Sequence, residues 1–244
     1  MSLTTADAGH GGRDPGAVAF GYEEEDFTLS IAKVVDGDLA KKGINNYLTR
    51  VDDVDINPAD RARKVRASGA KIATSIHINA GKGQGFDVIR SIHDNPLFSI
   101  LMYNELKAIG FPAHKPEPYT RVSDKNPEID YYFMIRDTKP VETLIVECGF
   151  IDNPGDLNYI KDPVWQKKTG AAIASAEAKY LEMRGWWKSP APVSVPAKVH
   201  YAKVHNDELV KVGVLVSDHT KTLDNPATEG FVITLVNKLR KAGM

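Results

Sequence analysis

The chain has 244 residues, 42% of them hydrophobic and 26% charged, and its 31 Lys+Arg against 32 Asp+Glu leave a formal net charge of −1. That balance excludes disorder and the global basic footprint of a nucleic-acid binder, and no apolar run approaches the roughly 18–20 residues of a membrane span. Cys148 is the only cysteine, which excludes an internal disulfide and a cysteine-based metal site. The amino terminus has no basic segment followed by an apolar one, so no secretory leader is expected, and synthesis in a reducing cytoplasm is.

In chain order, strands are expected at Leu3–Asp7, Ile44–Thr49, Lys71–Ile78, Gly85–Ile89, Tyr131–Ile135 and Thr143–Cys148. Helices are expected at Glu24–Lys42, Pro58–Ser68, Pro96–Ile109, Asn153–Ile160 and Val164–Met183. The alternation predicts an α/β domain over residues 1–187: a mostly parallel, six-stranded sheet flanked by helices. Residues 188–197 carry three prolines and no helical period, and read as a linker. Residues 198–244 read as two helices forming a small C-terminal module. Charge divides with the domains, net −4 over 1–187 and net +3 over 188–244.

Polar residues stand at several predicted strand ends, where open α/β sheets place their ligand sites. Strand one runs into Asp7-Ala-Gly-His10-Gly-Gly, whose glycines let the backbone turn sharply and approach a ligand. The third strand carries His77 within an apolar run, followed by Asn79. Each histidine alone has a structural reading, the first as an exposed turn residue and the second as a core imidazole bonded to a carbonyl. Two imidazoles at neighbouring strand ends are instead two-thirds of a catalytic zinc triad, which wants a third His or a carboxylate. The run Glu23-Glu24-Glu25-Asp26 opens the first helix, where acidic residues also simply match the helix dipole. Phe27, Ile31, Val34 and Val35 define the buried stripe. At about 100° per residue, Glu24 lies roughly 35° from its centre and Glu23 roughly 65°, while Glu25 points well away. Glu24 is therefore the ligand candidate, with Glu23 in reserve. Glu147, after the apolar run Leu144-Ile-Val, suits the proton-handling carboxylate of a zinc hydrolase; its alternative is an ion pair with a buried arginine such as Arg50.

These residues stand in a larger pattern: Asp7-Ala-Gly-His10-Gly-Gly-Arg-Asp-Pro-Gly16, Gly21-Tyr-Glu-Glu24-Glu-Asp26, Leu48-Thr-Arg50, Ser75-Ile-His77-Ile-Asn79-Ala80 and Val146-Glu147-Cys-Gly-Phe-Ile-Asp-Asn153. Together, and in this order over about residues 3–183, they resemble the zinc-dependent N-acetylmuramoyl-L-alanine amidases of the type 3 family. The resemblance implies one Zn2+ on His10, Glu24 and His77. It implies attack of a zinc-activated water on the lactyl carbonyl, with Glu147 as general base and acid, cutting the amide between N-acetylmuramic acid and L-alanine of bacterial peptidoglycan. The sequence departs from the family at Ala8, where proline is usual, and at Cys148, where a small aliphatic residue is. Asn79 and the loop Gly81-Lys-Gly-Gln-Gly85 are expected to line the substrate groove. That loop lacks the Lys-Ser/Thr ending of a phosphate loop. His93, His114, His200, His205 and His219 read as surface or packing residues.

The tail resembles small wall-associated modules found behind some amidases, and its net positive charge suits anionic wall polymers; packing or dimerisation is its other reading. With no leader expected, a phage endolysin that reaches the wall after release is the favoured role and a bacterial autolysin the second. A zinc peptidase acting within the stem peptide, and an inactive wall-binding protein, are the competing classes. The intact Glu147 speaks against the inactive protein. The absence of a His-Glu-x-x-His helix removes one large class of peptidases. The oligomeric state is open.

Overall fold

The computed structural model describes residues 2–190. In chain order it contains β1 (Thr4–Ala8), β2 (Val18–Ala19), β3 (Tyr22–Glu23), α1 (Glu24–Lys41), β4 (Asn46–Leu48), α2 (Pro58–Ser68), β5 (Ile72–Asn79) and β6 (Asp87–Arg90). There follow α3 (Leu97–Ala108), β7 (Tyr119–Thr120), β8 (Val122–Ser123), β9 (Asn126–Asp130), α4 (Phe133–Arg136), β10 (Glu142–Phe150), α5 (Pro154–Ile160) and α6 (Pro163–Met183). The helical module expected over 198–244, and all but the start of the expected linker, lie outside the described residues.

Six strands form the main sheet in the order β4-β1-β5-β10-β6-β7. All neighbours are parallel except β10 and β6. Because β6 runs the other way, its first residues share an edge of the sheet with the last residues of β1, β5 and β10.

Local chemistry explains where the helices begin. Pro58, Pro154 and Pro163 each occupy the first helical turn, where a missing N–H costs nothing. The side chains of Asn57, Asn153 and Asp162 before them accept hydrogen bonds from otherwise orphaned backbone N–H groups. At the other end of α2, Gly69 takes the left-handed conformation that closes a helix.

The larger core lies on the sheet face covered by α1, α3 and α6, and includes Ile31, Val35, Leu39, Ile76, Val146, Phe98 and Tyr180. A smaller core lies on the opposite face beneath α2 and α4, built from Val65, Ala73, Ile89, Met134, Ile135 and Ile145. The alternation of β5 and β10 thus sends Ala73 and Ile145 to the smaller core. Continuing at two-residue spacing, His77 and Glu147 reach the open end of that same face.

One expected strand is absent. Residues 131–135 lie in a bend and the short helix α4, and the sixth strand of the sheet is β7 instead. The Tyr-Tyr-Phe-Met-Ile run has the composition of a strand. Curling into a single turn buries Met134 and Ile135 together against β10 and α2, and this tertiary burial outweighs the local preference.

Candidate metal centre and active site

Three elements converge at the carboxyl edge of the sheet. His10 follows β1, Glu24 is the first residue of α1, and His77 lies near the end of β5. One donor atom from each lies within 4.8 Å of the other two. Glu24 is 3% exposed and uses both carboxylate oxygens. Its Oε2 lies 3.2 Å from His10 Nε2 and accepts from the Ala17 N–H at 2.9 Å. Its Oε1 lies 3.0 Å from His77 Nδ1 and accepts from the Ile78 N–H at 2.8 Å. Glu23, the reserve candidate, is exposed on β3 and takes no part. Glu25, expected to point away, is buried: the segment after β4 folds over the start of α1, with Asp53 beside the Glu25 carboxyl and the Arg50 guanidinium on its carbonyl.

The backbone is shaped to the triad. His10 itself sits at φ 61, a left-handed conformation that a non-glycine residue adopts at a cost of roughly 1–2 kcal/mol. Hydrogen bonds hold it there: Arg61 Nη2 donates to the His10 carbonyl at 2.6 Å, and His10 Nδ1 lies 2.9 Å from Asp14 Oδ2. Asp14 thereby directs Nε2 toward Glu24, as outer-shell carboxylates do for metal-binding imidazoles. Beneath the loop, the fully buried Asp7 receives Arg61, Thr49 and Ser75. Arg50, the alternative partner of Glu147, donates instead to the carbonyls of Ala8, Gly9 and Glu25. That alternative is thereby removed.

The protein's own charges prepare the triad. Burial alone would raise the Glu24 pKa, but hydrogen bonds and charge from His10 and His77 hold it far below the usual carboxylate range. Burial opposes a charge on His77, yet Glu24 overcomes it and raises the imidazole to about 9. The carboxylate is thus kept ionised between the two imidazoles.

Glu147 lies directly across from His77 in the β5–β10 register, so both side chains are on one face of the sheet. Burial, reinforced by the charges of Glu24 and Asp87, pushes its carboxyl up to about 7, against the opposing pull of His77. Asn79 ends β5; its Oδ1 accepts from the Ala80 N–H at 2.8 Å. Sequence reasoning missed two features. Asp14 was signalled only by standing four residues after a glycine-flanked histidine. His114, read as surface or packing, is a hydrogen-bond partner of buried Asp87, with Nδ1 2.8 Å from Oδ2.

Residues 5–178 match the family described as N-acetylmuramoyl-L-alanine amidase, Amidase_3. The chain belongs to that family. The amidase is 30% identical over 184 residues to an endolysin of Bacillus phage SPP1, covering 75% of this chain and 67% of that one. It is 28% identical over 198 residues to the germination-specific N-acetylmuramoyl-L-alanine amidase of Bacillus subtilis, covering 73% and 79%. Its fold matches the catalytic domain of CwlV, an amidase from Bacillus (Paenibacillus) polymyxa var. colistinus, with TM-score 0.66 at 24% identity over 75% of this chain and 99% of that one. The enzyme is therefore a peptidoglycan amidase, a hydrolase of the cell wall. Among the described residues, no helix is long and apolar enough to cross a membrane.

Proposed function

We propose that the amidase is a zinc enzyme in which His10, Glu24 and His77 hold the ion, and that it acts as a phage endolysin. The donor set fits zinc: two imidazole nitrogens and one carboxylate make up the protein ligands of many catalytic zinc sites. The outer contact from Asp14 fixes the His10 ring as such sites require. When bound, zinc supplies a Lewis acid that polarises the lactyl carbonyl and makes water a stronger nucleophile.

The chain's own groups do the rest. Glu147 takes a proton from the attacking water and delivers it to the nitrogen of L-alanine as the C–N bond breaks. A carboxyl that titrates near neutrality can do both. Asn79, at the mouth of the same edge, offers an amide to the substrate. The observation that carries this reading is the register of Glu147 against His77 on one sheet face. Its test is Glu147→Gln. The variant is expected to stay folded, keep one zinc per chain, and lose about 10²–10⁴ in rate of release of L-alanine amino termini from purified peptidoglycan. Wild-type turnover in a folded variant rules the role out.

The endolysin role is supported by likeness to the phage SPP1 endolysin. Expression in a susceptible host should leave cells intact until the membrane is permeabilised, and then clear the culture. The net +3 segment 188–244 is proposed to hold the enzyme on anionic wall polymers.

A further inference from the structure

Beyond the triad and Glu147, a second polar pair shares the same edge of the sheet. Asp87 opens β6 directly opposite Glu147 in the antiparallel ladder, and opposed residues project to the same face. Its side chain is 1% exposed, and it accepts from His114 Nδ1 at 2.8 Å. Its other oxygen, Oδ1, is buried and has no hydrogen-bond partner among the described residues. His114 is fixed further by its own N–H, which donates to the Phe86 carbonyl at 2.9 Å. Its ring stands edge-on to Phe150, with centroids 5.0 Å apart. About a third of the His114 side chain remains exposed. With Nδ1 engaged by the Asp87 oxygen, Nε2 is the ring nitrogen left free of that contact. Burying a carboxylate is costly, and a histidine that merely filled space would not need one.

The strand order gives this pair a direction. Across the sheet run β5 with His77, β10 with Glu147, β6 with Asp87 and β7 with Tyr119. Just past β7, the Arg121 guanidinium lies 3.6 Å from the centre of the Tyr131 ring. In the mechanism proposed above, the lactyl carbonyl lies at the triad and the amide nitrogen toward Glu147. What is attached to that nitrogen is the stem peptide, so the peptide continues over β6 and β7. Stem peptides offer backbone amides and carboxylates, and His114 Nε2 is a ring nitrogen beside Asp87 that can hydrogen-bond them.

We propose that His114 is a substrate-binding residue that hydrogen-bonds the leaving stem peptide through Nε2, with Asp87 as the positioning residue that aims it. The inference rests on the reading of Glu147 as proton donor to the leaving nitrogen.

The two ring nitrogens can be tested separately in the full-length zinc-loaded enzyme. The amide of His114→Asn replaces Nδ1, and the longer His114→Gln replaces Nε2. With a muropeptide bearing a complete stem, His114→Gln is expected to stay within about threefold of the wild-type KM. His114→Asn is expected to raise it about tenfold, the size of one lost hydrogen bond, with kcat changed less and zinc content equal in both. A wild-type KM in His114→Asn overturns the proposal, because only the tie to Asp87 would then matter, and equal KM in the two variants overturns it too, because Nε2 would then have no separate role. A second measurement needs no variant to fold. The wild-type enzyme should prefer the complete-stem muropeptide over muramoyl-L-alanine by about tenfold or more in kcat/KM, and absence of that preference also overturns it. Failure of the underlying mechanism shows separately, as full turnover by Glu147→Gln.

Discussion

Gly9 offers the sharpest test of how the triad is held. A Cβ built there would lie 2.4 Å from His77 Cε1 and 2.7 Å from each ring nitrogen, whereas comfortable contacts between carbons are about 3.5–4.0 Å. In Gly9→Ala something must therefore give by about 1 Å. The backbone is pinned: the Gly9 N–H donates to the Ile76 carbonyl at 3.0 Å, and its carbonyl accepts from Thr28 Oγ1 at 2.8 Å and Arg50 Nη2 at 3.1 Å. The His77 ring is the part free to move, and it is the proposed ligand. A misplacement of about 1 Å costs on the order of 10²-fold in rate. Elemental analysis of the purified variant should show substoichiometric zinc, and release of L-alanine amino termini should fall by about that factor while circular dichroism stays native. Gly37→Ala is the matched control: it lies within α1 with nothing near its added methyl, and should instead raise stability by about 0.5–1 kcal/mol. Full zinc occupancy and full turnover in Gly9→Ala would refute the account of the site as a cradle fitted to one imidazole position.

Three further outcomes can be measured. Glu24→Gln should lose zinc and activity while Glu23→Gln keeps both, as read by elemental analysis; the reverse pattern would exchange the two residues. Glu177, buried in α6, donates nothing but accepts from Thr74 Oγ1 at 2.6 Å, and burial raises its carboxyl from 4.5 to about 8 despite that bond. Its contribution is therefore fully present below pH 4.5 and is lost as pH rises toward 8. At roughly 1.4 kcal/mol per unit the ceiling is on the order of 5 kcal/mol, so in urea titrations Glu177→Gln should match the wild type near pH 4.5 and exceed it most above pH 8; a difference independent of pH would exclude burial of a titrating carboxyl. A chain ending at Lys188 should retain zinc and turn over soluble muropeptide at a near-normal rate but sediment poorly with intact walls, and equal sedimentation would exclude a targeting role for the tail.

The parts of the fold written locally were legible in the sequence. Pro58 after Asn57, Pro154 after Asn153 and Pro163 after Asp162 announce helices by removing or capping a specific N–H. The helical phase from Phe27 to Val35 distinguishes Glu24 from Glu23 by sequence alone, and the structure brings Glu24, His10 and His77 together. What depended on distant chain did not show. The aromatic run at 131–135 looks like a strand until α2 and β10 are there to bury Met134 and Ile135. Glu25 points away from the core of its own helix, but Asp53 and Arg50 come from another segment to cover it. Asp87 and His114 meet only because Phe86 and Ala113 form a parallel bridge, a pairing with no local signature.

The order in which the chain is made gives the strand arrangement another meaning. β10 lies between β5 and β6, and residues 80–86 pass across its end to join those two strands. Asp152 receives the N–H groups of Gly81 and Lys82, and Asp156 that of Gly85, so this crossing is secured by residues immediately after β10. Domains are synthesised from the amino terminus, and β10 is the last strand of this sheet to emerge. Until it does, β5 and β6 each lack a neighbour along one edge, and the carboxylate proposed to handle the proton does not yet exist. On the proposed mechanism, a nascent or prematurely terminated chain that already carries His10, Glu24 and His77 is thus catalytically silent, and the hydrolase becomes competent only when the strand bearing Glu147 slots into the gap left for it.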